Sequence, residues 1–328
     1  AGIAIVRIKN MILFSGTSSP LLSKEIADAL GVSLGNVEVT RFIDSECRVR
    51  ILDDVKDQDV FVIQSLSQIA DQHLVELCLF ATALKNLGAK TVTAVIPWMG
   101  YSKQDKAFRK GEAISSQLVA KMIEAAGFDK VITIELHSES IKQYFQIPIT
   151  ELSTQKLLLN AFNELQRPLP CPPSEVEGVS ARGGLMKFIV VSPDKGGTSR
   201  SEKFANDAKL PIIYLEKYRS KETGKVTVTD ISGDVKDASA IIFDDIINTG
   251  ATAVETSAFL KQHGATSVIF LATHAVLAGD ASAVLSKSSI DQIIVTNTIA
   301  IPKEKQISML TVVSVASLLA DAIKQNLG

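Results

Sequence analysis

Residues 241–252 read Ile-Ile-Phe-Asp-Asp-Ile-Ile-Asn-Thr-Gly-Ala-Thr. This is an apolar run ending in two adjacent carboxylates, before amide, hydroxyl and glycine open a helix. Backbone N–H groups and threonine hydroxyls at a helix start can surround a phosphate, because unpaired amides and the helix dipole both favour an anion there. Asp244 and Asp245 carry the wrong charge for a phosphate, but they can accept hydrogen bonds from the 2- and 3-hydroxyls of a ribose ring. The pattern suits a sugar phosphate. The plainer alternative is a strand–turn–helix junction with an Asp cap.

Four other segments fall where strands are expected to end, the edge at which open α/β sheets bind ligands. Residues 192–200 read Ser-Pro-Asp-Lys-Gly-Gly-Thr-Ser-Arg. Gly196 and Gly197 let the backbone approach a ligand without a Cβ clash, and Asp194 could coordinate Mg²⁺. His137 follows Glu135 and Leu136 on that same expected edge, and an imidazole with a carboxylate could hold a metal bound to phosphate oxygens. A structural histidine is the alternative there. In residues 41–46, Phe42 offers a face for stacking a purine, and Asp44 and Glu46 can accept from exocyclic N–H groups. Read alone, that stretch is a surface loop.

Residues 101–110 place Lys103, Lys106, Arg109 and Lys110 just after a strand expected to end at Pro97. Such charge could neutralise a triphosphate; a solvated basic loop is an equal reading. Glu216-Lys217-Tyr218-Arg219 leads into a hydrophilic excursion at 220–230. Excursions of this kind close over substrates, where Lys and Arg can stabilise charge on a transferring phosphoryl group.

The elements that must position these residues follow a β/α alternation, which predicts parallel βαβ construction. Strands are expected at 11–15, 60–64, 92–97 and 131–135, then at 188–192, 212–215, 240–243, 268–273 and 293–296. Ser19 and Pro20 predict an N-cap and first helical residue, with Gly31 ending that helix. Further helices are expected at 73–87, 114–126, 154–165, 201–208 and 252–263. The apolar spacing of Val315, Leu318, Leu319, Ala322 and Ile323 predicts an amphipathic closing helix over 314–327. Pro168, Pro170, Pro172, Pro173 and Gly183-Gly184 mark 166–187 as a surface insertion to which no chemistry is assigned. The division expected is 11–153 and 154–313, with the closing helix packing on the first part.

At 328 residues the chain suits two domains. Its 46% hydrophobic and 21% charged residues predict a well-cored globular protein. A formal net charge of −2 argues against a nucleic-acid or anionic-membrane binder. Cys47, Cys78 and Cys171 form no Cys-x-x-Cys pair, so a reducing, cytoplasmic setting is expected. No stretch reaches the roughly 18 to 20 apolar residues needed to span a bilayer. Residues 1–10 precede Met11 and read as an extra leader rather than a secretion signal.

Taken together in chain order, these motifs resemble those of the ribose-phosphate pyrophosphokinase family, over nearly all of the chain from Met11 to about Leu327. The resemblance implies an α/β fold of two type I phosphoribosyltransferase-like domains, each a mainly parallel sheet flanked by helices. It implies Mg²⁺-dependent transfer of the diphosphoryl group of ATP to the 1-hydroxyl of ribose 5-phosphate. Carried over by motif, Phe42, Asp44 and Glu46 would contact adenine, and Lys103, Gln104 and Asp105 would belong to the ATP-binding stretch. His137 and Asp194 would hold Mg²⁺, and Asp194, Lys195, Gly196 and Gly197 would meet the diphosphoryl group. Asp244 and Asp245 would bind the ribose hydroxyls. Asn248, Thr249, Gly250, Ala251 and Thr252 would cradle the 5-phosphate, with Lys217 and Arg219 as the catalytic pair. A homo-oligomer, dimer or hexamer, with an ATP site shared between subunits is implied as well.

The chain departs from the family pattern at several of these positions. Ser45 stands where the family usually has glycine, which strains the turn by about 1 kcal/mol if it needs positive φ. Lys103 replaces a usual arginine and gives up bidentate phosphate contact. Glu135 replaces an aspartate, Asn248 a commoner aspartate and Ala251 a usual glycine. Two other readings stand beside the synthetase. A phosphoribosyltransferase would use the 244–252 loop without ATP, and a non-catalytic paralogue would regulate an active synthetase.

Overall fold

The computed structural model describes residues 11–166, 187–193, 198–219 and 226–327, with only the backbone at 217–219 and 226–227. The chain divides into two compact units. One holds the chain up to Thr154, Asn297–Ile301 and the stretch from Ser314 onward; the other holds Gln155–Thr296 and Pro302–Val313.

The first unit runs β1 (Met11–Ser15), α1 (Pro20–Leu30), β2 (Val37–Arg41), β3 (Cys47–Ile51), β4 (Asp59–Ile63), α2 (Ala70–Asn86), β5 (Thr91–Ile96), α3 (Ser115–Ala126), β6 (Lys130–Ile134) and β7 (Ile149–Leu152). Five of these strands form one sheet in the order β1-β4-β5-β6-β7, with every pairing parallel. β4 is buried along its whole length, which is why it reads as a continuous apolar run without alternation. Phe14, Val62, Leu77, Phe80, Leu84 and Ile96 close the core between this sheet and its helices. Pro20 does begin α1, but the Ser19 side chain makes no capping bond; its hydroxyl lies 3.2 Å from that of Ser18. Gly31 and Gly127 end α1 and α3 at φ 69° and 106°.

β2 and β3 form a separate antiparallel hairpin, absent from the sequence-based expectation. Its signal is a period of two: Val37, Val39, Val49 and Ile51 pack against the core, while Glu38, Thr40, Arg48 and Arg50 are exposed.

The second unit comprises α4 (Gln155–Leu165), β8 (Phe188–Ser192), α5 (Thr198–Ala208), β9 (Ile212–Arg219), β10 (Val226–Ile231), β11 (Ser239–Ile247), α6 (Ala251–Gln262), β12 (Ser267–Ala275), α7 (Ala281–Ser286), β13 (Gln292–Thr296) and β14 (Leu310–Val313). Its sheet has the order β10-β9-β8-β11-β12-β13-β14, parallel throughout except for the β9–β10 pair. Leu158, Phe162, Phe204, Ile241, Phe243 and Leu271 form the core on one face of that sheet. The α/β class with mainly parallel sheets flanked by helices is the one expected.

The last helix, α8 (Ala316–Gln325), belongs to the first unit. So do Asn297–Ile301. Asn297 donates to Glu25 on α1 at 2.9 Å and accepts from the Val315 amide at 2.8 Å, which ties that strip and the entry to α8 onto α1. Of the proline-rich stretch 166–187, only Gln166 and Lys187 lie among the described residues. No helix among the described residues is long and apolar enough to cross a membrane.

Candidate functional site

In the second unit, β11 does not stop at residue 243 as its apolar run suggested. It continues to Ile247, pairing Asp244 with Ala272 and Ile247 with Ala275 of β12. Asp244 and Asp245 therefore lie inside the strand, near its C-terminal end, where successive side chains leave on opposite faces. Their environments differ accordingly. The side chain of Asp245 is 4% exposed and that of Asp244 19%. The Asp245 amide donates to Asp244 Oδ1 at 2.9 Å. Arg200, in the first turn of α5, sets Nη1 3.3 Å from Asp245 Oδ1 and 3.8 Å from Asp244 Oδ1.

The chain then turns through Asn248 and Thr249 into α6. The Asn248 carbonyl accepts from the Ala278 amide at 2.9 Å, which pins the turn to the segment after β12. Gly250 occupies the N-cap of α6 at φ 78°. A Cβ there would lie 3.0 Å from Leu285 Cγ, so the backbone conformation favours glycine and the space beside it is tight. Thr249, Ala251 and Thr252 are exposed around this helix start, which leaves the first amides of α6 accessible to an anion.

Asp194, Lys195, Gly196 and Gly197 lie outside the described residues. The backbone of Lys217 and Arg219 lies in β9, opposite Val228 and Val226 of β10. The expected loop beyond Arg219 is thus in part an antiparallel strand, and the two residues sit on a ribbon whose register shifts between Val228 and Asp230. Alternating polar and apolar residues at 226–231 carried that signal, weakly.

In the first unit, residues 42–46 form the tip of the β2–β3 hairpin. The Phe42 amide donates to the Glu46 carbonyl and the Ser45 amide to the Phe42 carbonyl, both at 2.9 Å. Ser45 sits at φ 73°, the left-handed region that favours glycine. Phe42, Ile43, Asp44 and Glu46 line one open depression, with Phe42 53% exposed. An aromatic face and two carboxylates are thereby presented together.

The turns after β5 and β6 are tied to each other. Asp105 Oδ2 accepts from Ser140 Oγ at 3.2 Å, and its carbonyl from the Tyr144 hydroxyl at 2.7 Å. Gln104 is anchored to the start of α3, its side chain accepting from Ser115 Oγ at 2.5 Å and its carbonyl from Ser116 Oγ at 3.1 Å. Lys103 is half-buried, and Lys106 lies 5.5 Å from the centroid of the Phe108 ring. His137 is exposed on the turn after β6. That turn is held by two carboxylates: Glu151 accepts from the Leu136 amide at 2.7 Å, and Glu135, at φ 39°, from the Thr154 amide at 3.1 Å. Glu151 also bonds Lys142 Nζ at 2.7 Å and raises the ammonium above its ordinary value. The structure thus brings Lys103, Gln104, Asp105 and the His137 turn to one edge of the first sheet. The Phe42 tip belongs to the separate hairpin.

Two contributors had no role in the sequence reading: Arg200, and Tyr101, whose hydroxyl reaches Asp71 at 2.5 Å. The signal for Arg200 was a buried carboxylate in need of a counter-charge. Burial, however, is not visible in a motif.

Residues 11–127 match the family model described as the N-terminal domain of ribose phosphate pyrophosphokinase. Residues 192–327 match the phosphoribosyl synthetase-associated domain. The chain is 38% identical over 315 residues to a ribose-phosphate pyrophosphokinase of Bacillus subtilis, covering 96% of this chain and 93% of that one. It is 37% identical over 314 residues to one from Corynebacterium ammoniagenes, with 96% and 93% covered. Among solved structures it resembles a phosphoribosylpyrophosphate synthetase from Mycobacterium smegmatis, with TM-score 0.85, 34% identity, and 96% and 98% of the two chains covered.

Proposed function

Because the chain belongs to the ribose-phosphate pyrophosphokinase family and is an enzyme of that kind, we propose that it makes phosphoribosyl pyrophosphate from ATP and ribose 5-phosphate with Mg²⁺. The observation that carries this reading is the end of β11. A solvent-reachable carboxylate there precedes a turn through Gly250 onto the open N-terminus of a helix. A ribose ring carrying a phosphate needs both kinds of contact.

In this reading the 1-hydroxyl oxygen of ribose 5-phosphate attacks the β-phosphorus of ATP. A bond from that oxygen to the β-phosphorus forms, and the bond from the β-phosphorus to the α,β-bridging oxygen breaks. AMP leaves with the bridging oxygen, and the hydroxyl proton passes to solvent. No covalent enzyme intermediate is needed, so positioning and charge neutralisation supply the acceleration. Asp244 holds the ribose hydroxyls, and Thr249, Thr252 and the α6 amides hold the 5-phosphate. Phe42, Asp44 and Glu46 read the adenine, while Lys103, Gln104 and Asp105 shape the triphosphate site. Lys217 and Arg219 steady charge on the transferring group.

Mg²⁺, when bound, neutralises the ATP phosphates. Among the described residues no group of three or more His, Cys, Asp or Glu side chains could hold a metal alone. An ion that keeps phosphate oxygens and waters as ligands needs only one or two protein donors, and His137 with Asp194 would supply them. A homo-oligomer that shares the ATP site between subunits, in the cytoplasm, completes the proposal.

³¹P NMR of the purified protein with ribose 5-phosphate, Mg²⁺ and ATP tests it. Growth of AMP together with a sugar-attached diphosphate is expected. Persistence of both substrates, with binding still detectable, would overturn the assignment in favour of a regulatory paralogue.

A further inference from the structure

The two carboxylates of the β11 motif differ in burial, and Arg200 stands beside both. Asp245 is almost wholly buried, whereas Asp244 keeps 19% of its side chain exposed. A carboxylate as buried as Asp245 persists as an anion only beside a compensating cation. Arg200 Nη1, at 3.3 Å, is such a cation. The same nitrogen stands 3.8 Å from Asp244 Oδ1, the oxygen that already accepts from the Asp245 amide.

The delivery of Arg200 to this point is rigid. Ser201, fully buried on the next position, donates its hydroxyl to the Phe243 carbonyl of β11 at 3.2 Å. One turn later, the rings of Phe204 and Phe243 stack at 4.5 Å with 15° between their planes. α5 is therefore fastened to β11 immediately before Asp244, and the guanidinium reaches both carboxylates from that helix.

We infer that Arg200 is a positioning residue for the sugar site. Balanced by Asp245, it fixes the orientation of Asp244 and leaves Asp244 as the carboxylate that meets the ribose hydroxyls. The inference rests on the proposed function. It changes the roles within that reading: Asp245 acts through Arg200 and not by touching the sugar. The guanidinium holds its charge in a fixed plane, with one nitrogen facing both carboxylates, a placement that an ammonium on a flexible stem does not reproduce.

The test is calorimetric titration of the full-length protein with ribose 5-phosphate and, separately, with the magnesium complex of a non-hydrolysable ATP analogue. Thermal unfolding is followed alongside. Arg200→Gln should weaken ribose 5-phosphate by about 10-fold or more while the nucleotide affinity stays within about 2-fold. Arg200→Lys keeps the charge that Asp245 needs. It should recover the unfolding temperature lost in Arg200→Gln but not the sugar affinity, a split that simple charge balance would not produce. Equal sugar affinity in wild type and Arg200→Gln would overturn the inference. So would sugar affinity fully restored by Arg200→Lys, or sugar and nucleotide affinities falling together in both variants. Failure of the wild-type protein itself to bind ribose 5-phosphate would instead remove the sugar site on which the inference stands.

Discussion

The hydroxyl of Tyr101 donates to Asp71 Oδ1 at 2.5 Å, joining the turn after β5 to the first turn of α2. Tyr101 holds φ 63°, a conformation that costs a bulky L-residue about 1–2 kcal/mol. Beside it, a Cβ on Gly100 would lie 2.4 Å from the Leu66 carbonyl oxygen, so the turn cannot relax inward.

The Asp71 bond raises the Tyr101 phenol above its ordinary value of 10.0. A group whose folded value is raised contributes stability fully below its unfolded pKa and loses it as pH climbs through the folded one. The contribution of this bond is therefore complete at neutral pH and fades only on the alkaline side of 10.0. Tyr101→Phe keeps the strained backbone without the bond. It should lower the unfolding temperature at pH 7 and weaken nucleotide binding at the adjoining Lys103 stretch. Unchanged unfolding and unchanged nucleotide affinity would show that the bond holds nothing in place.

Ser45 makes the opposite case, strain without an evident return. At φ 73° on an exposed hairpin tip, glycine would remove the Cβ clash. Part of the gain is offset by the greater freedom of glycine in the unfolded chain. Ser45→Gly should stabilise the protein by about 0.5–1 kcal/mol. Urea unfolding measures this directly, and a loss of stability would mean that the Ser45 hydroxyl, 2.5 Å from the Asp44 carbonyl, matters more than the backbone.

Glu76 is a buried carboxylate, 1% exposed, that organises the turn after β1. It accepts from the Thr17 amide at 2.8 Å, the Thr17 hydroxyl at 2.6 Å and Gln64 Nε2 at 2.8 Å. Glu76→Ala would strand these donors and should cost about 3–5 kcal/mol. Glu76→Gln retains one acceptor oxygen and should cost less than half as much. Guanidinium unfolding of the two variants decides it; equal losses would point to packing volume instead of hydrogen bonding.

Lys217 tests the chemistry. Lys217→Ala should reduce turnover by several orders of magnitude, as loss of a charge-stabilising group in phosphoryl transfer does. Ribose 5-phosphate binding should change little. A variant that turns over at the wild-type rate would strip Lys217 of its assigned role.

Some of this was legible before any coordinates. The β/α alternation was written in apolar runs and glycine caps, and the ends of the predicted strands coincided with the segments of unusual composition. The hairpin of β2 and β3 went unread although Val37, Val39, Val49 and Ile51 alternate cleanly. Residues 41–46, read alone, look like a surface loop, which hides the short strands on either side of it. β10 was harder, being a short alternating strand at the edge of the sheet, paired among the described residues with β9.

The sequence by itself determined the α/β class, the family, and the residue types placed at the strand ends, because periodicity, caps and motifs are local properties of the chain. Tertiary structure alone decided which of those groups act on one another. Arg200 meets Asp245 across 45 residues, Tyr101 meets Asp71 across 30, and Asn297 meets Glu25 across 272. It also separated Asp244 from Asp245, neighbours in the chain, into a reachable carboxylate and a sealed one. The physical reason is that sheet order and helix docking set burial and partner. Neither quantity belongs to a residue until the strands beside it are in place.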